Sequence, residues 1–419
     1  MDREGHLRVG GVDLSRLADR YGTPLYVYDA ATIRAAHRAY TLAFAKHRPY
    51  RISYAIKASP LRGVGRVLSA LGADASAASL GELLAAKRAG FAPARMQLHG
   101  NAKTDEELRG AIALGAGRIV IDGADEIERL ARLVRRRATP LSVWLRVSPG
   151  IGADTHPHLR TGVLDSKFGA PIEGGEALAQ ARSIALTKGL LLVGLHAHLG
   201  TQLHEAERYA ELGAALAGLA GDAMAATRAK IREIGVGGGL GIPLREGDRT
   251  LDLASYAAAV SAPLRSRAET AKATLYVEPG RSLVGRSGVA LYRVVGTKRI
   301  GGVRTYVSVD GGMGDNIRPA LYGAEYTALL AERASAAPQE QVAIAGRYCE
   351  SGDVLIGDVA LPTARSGETL AIPGSGAYAI PMASNYNSVP RPAVVLIDNK
   401  RARLIRARET YADLWKPER

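Results

Sequence analysis

The stretch SYAIKASP places Lys57 directly after a short apolar run, where a buried strand would end. A lysine there either snorkels at a rim or aims its amine into whatever the strand end faces. Other groups capable of chemistry close apolar runs in the same way. His99 and Asn101 follow MQL, Arg146 and Ser148 end LSVWLRVS, and His196, His198 and Thr201 end GLLLVGLHAHLGT. Asp74 and Ser76 lie within another run, and Glu278-Pro279-Gly280-Arg281 follows LYV. In EIGVGGGLG, residues Gly237, Gly238 and Gly239 let backbone N–H groups approach an anion closely, and a following helix adds its positive end. A lysine, an anion cradle, a histidine able to lie flat on a ring and a carboxylate are the set that pyridoxal 5'-phosphate requires. The amine joins the cofactor aldehyde, for which its pKa must fall through burial or cationic neighbours. Glu278 would keep the pyridine nitrogen protonated, making the ring an electron sink. Each residue also has a plainer reading: His198 as a satisfied core histidine, Glu278 as a salt-bridge partner of Arg281, the glycines as a turn without a ligand.

These groups act together only if the fold gathers them. Strand candidates are 52–57, 73–77, 96–101, 118–122, 141–148, 190–199, 231–236 and 275–278. Helical patterns intervene at 80–89, 105–114, 125–135, 205–219 and 253–267, the third opening on Asp122 or Asp125 as its cap. Eight strands, each followed by a helix or loop, are the sequence form of a (β/α)8 TIM-like barrel, whose C-terminal strand ends converge on one mouth. All the residues above except Asp74 and Ser76 sit at such ends. After Arg281 the texture changes to VALYRVVGTKRI, RTYVSVD, DVLIGDVALP, AVVLID and ARLIRARE, an all-β pattern. The expected division is a barrel over 28–281 and a C-terminal β-sandwich or β-barrel domain over 282–419 joined by the segment 1–27. The local pattern of LYVYD alone fits packing against either. The Ala-rich region 329–341 is expected to form a surface helix and loop.

At 419 residues, with 47% hydrophobic and 23% charged residues, the chain can bury a large core. The charged start, MDREGHLRVGG, and the shortness of the most apolar segment argue for a soluble, untargeted protein without a membrane partner. One cysteine, Cys349, excludes intrachain disulfides and fits a reducing cytoplasm. The net charge of +14 suits an anionic substrate. Its arginines are scattered and mixed with acids, and only 5% of residues are aromatic, so a nucleic-acid partner is not expected. No residue set is assigned to a metal.

SYAIKASP, LHGNAK, SKFG, GLHAHLGTQ, VGGGLG, EPGRSLV, DNIRPALYGA, CESGD and GAYAIPMASNYNSVPRP together resemble, in order and spacing, the fold-type III pyridoxal-phosphate decarboxylases, and most closely their diaminopimelate-specific branch. The resemblance runs from about Leu25 to Pro392 and implies the alanine racemase-like pair of a barrel and a β-domain. It implies that Lys57 holds the cofactor, His198 stacks on the ring, and Thr201, Gly239, Gly280 and Arg281 serve the phosphate. Glu278 partners the pyridine nitrogen, and Tyr378 reaches cofactor and substrate. Arg281, Arg318 and Tyr322 would grip the substrate's distal carboxylate, Glu350 its distal ammonium, and Cys349 would return the proton after carbon dioxide leaves. In the resembling family Cys349 and Glu350 come from a neighbouring subunit, which implies a homodimer with shared sites. The activity implied is decarboxylation of the D-centre of meso-2,6-diaminopimelate to L-lysine, the last step of lysine biosynthesis.

The distal clamp fits this substrate physically, because a guanidinium fork suits a carboxylate that ornithine and lysine lack at their far ends. Departures are Ser59 and Ala102 where the family usually has Asn, the variable Gly314, and Arg347-Tyr348 ahead of Cys349; the last pair touches substrate choice rather than decarboxylation. A related decarboxylase for another basic or D-centre amino acid, and a silent cofactor-binding relative, are the alternatives. Retention of Lys57, Glu278 and Cys349 speaks against silence. Glu278 speaks against a racemase, for which Arg would be expected at the pyridine nitrogen.

Overall fold

The structure is a computed structural model that describes residues 5–151, 166–245 and 247–418. The chain divides into two compact units, one of residues 36–241 and 249–282, the other of residues 1–35, 242–248 and 283–419.

The first unit is a closed parallel barrel. Its eight strands are Tyr50–Ala55, Asp74–Ala77, Met96–Leu98, Arg118–Ile121, Leu141–Ser148, Leu190–His196, Glu233–Gly235 and Thr274–Val277. Each pairs in parallel with the next, and the eighth returns to the first through Leu275 opposite Tyr50 and Val277 opposite Ile52. The helices between them bury one stripe, as Ala124–Val134 does with Ile127, Leu130 and Val134. Asp105–Leu114 starts on a capping box of Thr104 and Glu107. The expected Asp122 or Asp125 cap is not used: Gly123 is the N-cap, and Asp122 N–H instead donates to Glu126 Oε2 at 2.9 Å. Helices Arg62–Ala70 and Glu176–Leu186 were not evident from the pattern.

Inside the barrel Val120, Trp144, Val193 and Tyr276 form one buried layer. Trp144 needs the room that two glycines leave. A Cβ on Gly194 would stand 2.6 Å from Trp144 Cδ1, and one on Gly235 would stand 2.8 Å from His196 Cδ2. Strands end earlier than their apolar runs. Lys57 belongs to a single 3₁₀ turn, Ile56–Ala58, while His99, Asn101, His198 and Glu278 lie one to three residues beyond strand ends, so all occupy the loops of one rim.

In the second unit, Leu25–Asp29 runs antiparallel to Gly288–Ile300 and parallel to Ala393–Asp398, which places LYVYD in that sheet rather than in the barrel. The sheet continues outward through Arg304–Val309, Glu340–Ala345 and Val354–Leu361 on one side and Arg401–Arg406 on the other. Thr369–Pro373 pairs with Gly288–Ile300 as well. Leu25, Val27, Leu291, Ala371, Val395 and Ile397 form its core. The helix expected over 329–341 is absent. Leu329–Leu330 is a short strand, Ala331–Arg333 a 3₁₀ turn, and Glu340 opens a strand. Among the described residues no helix is long and apolar enough to cross a membrane.

Candidate active site

Contacts between loops, rather than strand pairing, build the barrel mouth. Ala55 N–H donates to Pro279 O at 3.2 Å, and a Cβ on Gly280 would stand 3.1 Å from Ala58 Cβ. The loop after the eighth strand therefore lies on the turn that carries Lys57, whose side chain remains exposed. Next to it, Glu278 N–H donates to Gly237 O at 2.7 Å. The glycine run is wedged: a Cβ on Gly238 would fall 2.3 Å from Glu278 O, and one on Gly239, at φ +102°, would fall 2.4 Å from Gly200 O. No residue with a side chain fits either place without moving backbone. Gly237, at φ +63°, lies under His198, its absent Cβ 2.6 Å from Nδ1. Lys57, His198, the Gly200-Thr201 segment, Gly237–Gly239 and Glu278–Gly280 thus form one continuous rim.

Glu278 is the most constrained group in it. Its carboxylate, 8% exposed, has His196 Nε2 at 3.0 Å from Oε2 and His99 Nε2 at 3.2 Å from Oε1. Burial pushes the carboxyl up, but the two imidazoles outweigh it and hold it well below the usual carboxylate range. Burial also draws His196 down to about 4, so the ring is neutral. An ionised carboxylate only accepts, which assigns the hydrogen to His196 Nε2. The Oε1 contact is close without being an aligned hydrogen bond, and Oε1 has no other partner among the described residues. Burial, with Lys57 and Arg146 nearby, lowers His198 far below the ordinary histidine range.

Behind His196 stands a second tier. Trp144 lies nearly parallel to its ring, 11° and 6.3 Å between centroids, and donates from Nε1 to Glu233 Oε2 at 2.7 Å. Arg118 grips Glu233 with both Nε and Nη2. Lys103, 2% exposed, donates to Val120 O at 2.9 Å and pairs with Glu126 at 2.9 Å; it also reaches Gly100 O, next to His99. Neither His99 nor His196 was assigned a role from sequence. The hints of His196 were its place at the end of an apolar run and its spacing of two from His198, which in a strand puts both on one face.

His99, His196 and Glu278 are also the one group among the described residues close enough, within 4.8 Å, to share a metal ion. Two ligands at 2.0–2.1 Å on a tetrahedral zinc ion would stand roughly 3.3 Å apart. His196 Nε2 and Glu278 Oε2 are instead joined directly by a hydrogen bond of 3.0 Å.

The remaining candidates lie in the second unit. Arg318 is 3% exposed in the short helix Arg318–Tyr322, donates to Tyr326 OH, and keeps Nε without a partner among the described residues. Asp353 joins two loops by accepting from Met313 N–H at 2.6 Å and Tyr348 N–H at 2.7 Å. Cys349 and Glu350 follow on the second loop and are both exposed; Cys349 N–H donates to Asn387 Oδ1 at 2.9 Å. Tyr378 holds φ +61°, a strained backbone for a residue with a side chain.

Residues 30–285 match the model of the "pyridoxal-dependent decarboxylase, pyridoxal binding domain". A diaminopimelate decarboxylase of Bacillus subtilis (strain 168) is 39% identical over 419 residues, covering 99% of this chain and 95% of its own. Among solved structures, the diaminopimelate decarboxylase of M. jannaschii in complex with L-lysine superposes with a TM-score of 0.94 at 32% identity, over 100% of this chain and 97% of that one. The Helicobacter pylori enzyme with L-lysine gives 0.90 at 31% identity over 97% and 99%. The residues present fit a pyridoxal group. The rim offers an exposed amine at Lys57, a backbone cradle that tolerates only glycine, and a buried carboxylate whose Oε1 lacks an aligned donor.

A neutral buried His196 makes stability depend on pH. Between pH 6.5 and 4 the unfolded chain binds a proton at this position that the folded chain refuses, so this part of the stability is lost as pH falls through that window. The linked free energy is about 3 kcal/mol. Asp315, pushed up to about 6 by burial, acts oppositely over much of the same range, but equally in a His196→Gln variant. In urea unfolding, the advantage of the variant over the wild type is predicted to grow by about 3 kcal/mol as pH falls from 6.5 to 4. A difference independent of pH would contradict a neutral His196.

Proposed function

The chain belongs to the pyridoxal-dependent decarboxylases and, among them, to the diaminopimelate decarboxylases, and from this membership we propose that it removes carbon dioxide from the D-configured end of meso-2,6-diaminopimelate to give L-lysine. The observation that carries the reading is a buried, ionised Glu278 on the same barrel rim as Lys57 and a glycine-only cradle. Pyridoxal 5'-phosphate, when bound, supplies an electron sink for the charge left at the α-carbon. Lys57 would hold it covalently, Gly237–Gly239 with Thr201, Gly280 and Arg281 would take its phosphate, and His198 would serve its ring. Glu278, ionised and buried, would accept from the ring nitrogen and favour its protonated form.

The second unit supplies substrate contacts. Arg318 offers an Nε–H without a partner among the described residues in a buried guanidinium, suited to a carboxylate, and Tyr322 and Arg281 would complete the distal clamp. Tyr378 reaches cofactor and substrate, which gives its strained backbone a purpose. Glu350 pairs with the distal ammonium, and the Cys349 thiol returns a proton to the α-carbon. Both are exposed on a single chain, which agrees with their entering the site of a second copy in a homodimer.

Purified protein given pyridoxal phosphate and, separately, meso-diaminopimelate, L-lysine, L-ornithine or L-arginine is predicted to release carbon dioxide only from the first, with lysine as the product. Release from one of the others alone, or from none, would overturn the reading. Subunit sharing has its own test. Lys57→Ala and Cys349→Ala proteins, the second slowed by roughly 10² or more, are each nearly inactive. Mixed after dissociation and reassociation, they are predicted to regain part of the activity. No recovery in confirmed mixed dimers would place each site within one chain.

A further inference from the structure

Outside the residues already given roles, the most complete arrangement is the one around Glu278. We infer that His99 and His196 are positioning residues that clasp the two oxygens of Glu278, keeping it ionised and fixed in direction before any cofactor arrives. This inference rests on the proposed role of Glu278 and extends it to two residues that touch neither substrate nor cofactor.

The geometry carries it. His196 Nε2 meets Oε2 at 3.0 Å, His99 Nε2 stands 3.2 Å from Oε1, and the two rings meet edge to face with centroids 4.7 Å apart. The carboxylate is therefore approached on both oxygens from two different strands. Each imidazole is itself braced. His196 leans on Trp144, which Glu233 and Arg118 hold, and an absent Cβ at Gly235 lets the ring occupy its place. His99 follows directly on the third strand, beside Gly100, whose carbonyl Lys103 captures. Four buried side chains, His99, His196, Trp144 and Glu233, and the half-buried Arg118 thus converge on the direction of one carboxylate. The hydrogen bonds from His196, Trp144 and Arg118 restrict where the Glu278 carboxylate can turn.

The arrangement also has a chemical purpose. Each carboxylate oxygen has two acceptor positions, so the His196 donor on Oε2 and the His99 ring beside Oε1 leave room for the ring nitrogen. Without the imidazoles a carboxyl buried to this degree would favour its neutral form. A neutral carboxylic acid would not hold the ring nitrogen protonated, and the electron sink would weaken. Arg146, His198 and Tyr256 also lie within electrostatic reach of Glu278.

The test uses the folded protein without cofactor. The infrared carboxyl stretch of Glu278, assigned by subtraction of a Glu278→Gln variant, is followed through a pH titration in wild type, His196→Leu, His99→Leu, His196→Gln and His99→Gln. Wild-type Glu278 is expected to be ionised at neutral pH. Each Leu variant is expected to raise its proton affinity at least tenfold, about one pH unit, and each Gln variant, whose side-chain amide can place an N–H near the imidazole Nε2, to reverse most of that shift. Equilibrium dialysis with pyridoxal 5'-phosphate is expected to follow the same order, with at least tenfold weaker binding in the Leu variants. Circular dichroism establishes which variants fold, and His99→Leu, at the mouth, decides the matter should His196→Leu not fold. A protonated Glu278 in the neutral wild type, or an unmoved titration in either folded Leu variant, overturns the inference. Because the titration needs neither cofactor nor substrate, it can succeed or fail independently of the decarboxylation assay.

Discussion

A carboxylate taken out of water is tolerated only when its charge is answered, and Glu278 is buried at the rim of a barrel. Much of the barrel around it can be understood as the answer. His99 and His196 approach its two oxygens, Trp144 supports His196, and the Glu233–Arg118 pair fixes Trp144. The glycines at 194 and 235 are then consequences: a side chain at either would collide with the indole or the imidazole. The same constraint extends outward. Glu278 N–H fastens to Gly237, which lies under His198, and the adjoining Pro279-Gly280 loop rests on the turn of Lys57. The loops of Lys57, His198 and the glycine run meet through backbone contacts at and beside the residue that carries the buried charge.

The barrel provides this at little cost in chain. Parallel strands end at a common rim, so a residue just past each end reaches the same small volume whatever its distance in sequence. Lys57 and Glu278 are more than two hundred residues apart, yet their loops touch because the eighth strand pairs with the first. The second unit has its own local order. Its loops carry exposed Cys349 and Glu350 and a buried Arg318, and Asp353 ties the Met313 and Tyr348 loops that lead to them.

Strand order and the rim were legible because alternating apolar runs and helical stretches are a local signal. Strand ends were not. Lys57, His99 and Glu278 read as terminal strand residues but lie just past the last paired one, since an apolar run does not reveal where pairing stops. The helix Arg62–Ala70 escaped notice because two glycines in nine residues weaken its propensity, and its stability comes from burying Val64, Val67 and Leu68. The cap before Ala124–Val134 went to Gly123, with Glu126 reaching back to the Asp122 N–H. LYVYD could not be placed from its own pattern, because a strand buried on both faces says nothing of its neighbours. His196 and His99 were passed over for a related reason. Their importance lies in a carboxylate that comes from the far end of the barrel sequence, and spacing carries no trace of that meeting.

The most direct measurement is a crystal structure of the protein with pyridoxal 5'-phosphate bound. The account predicts the ring nitrogen within about 3 Å of the Glu278 carboxylate, with His99 and His196 still on its oxygens, the phosphate on the backbone of Gly237–Gly239, and continuous density to Lys57 Nζ. A ring nitrogen directed at another group, or a phosphate held away from the glycine run, would contradict it.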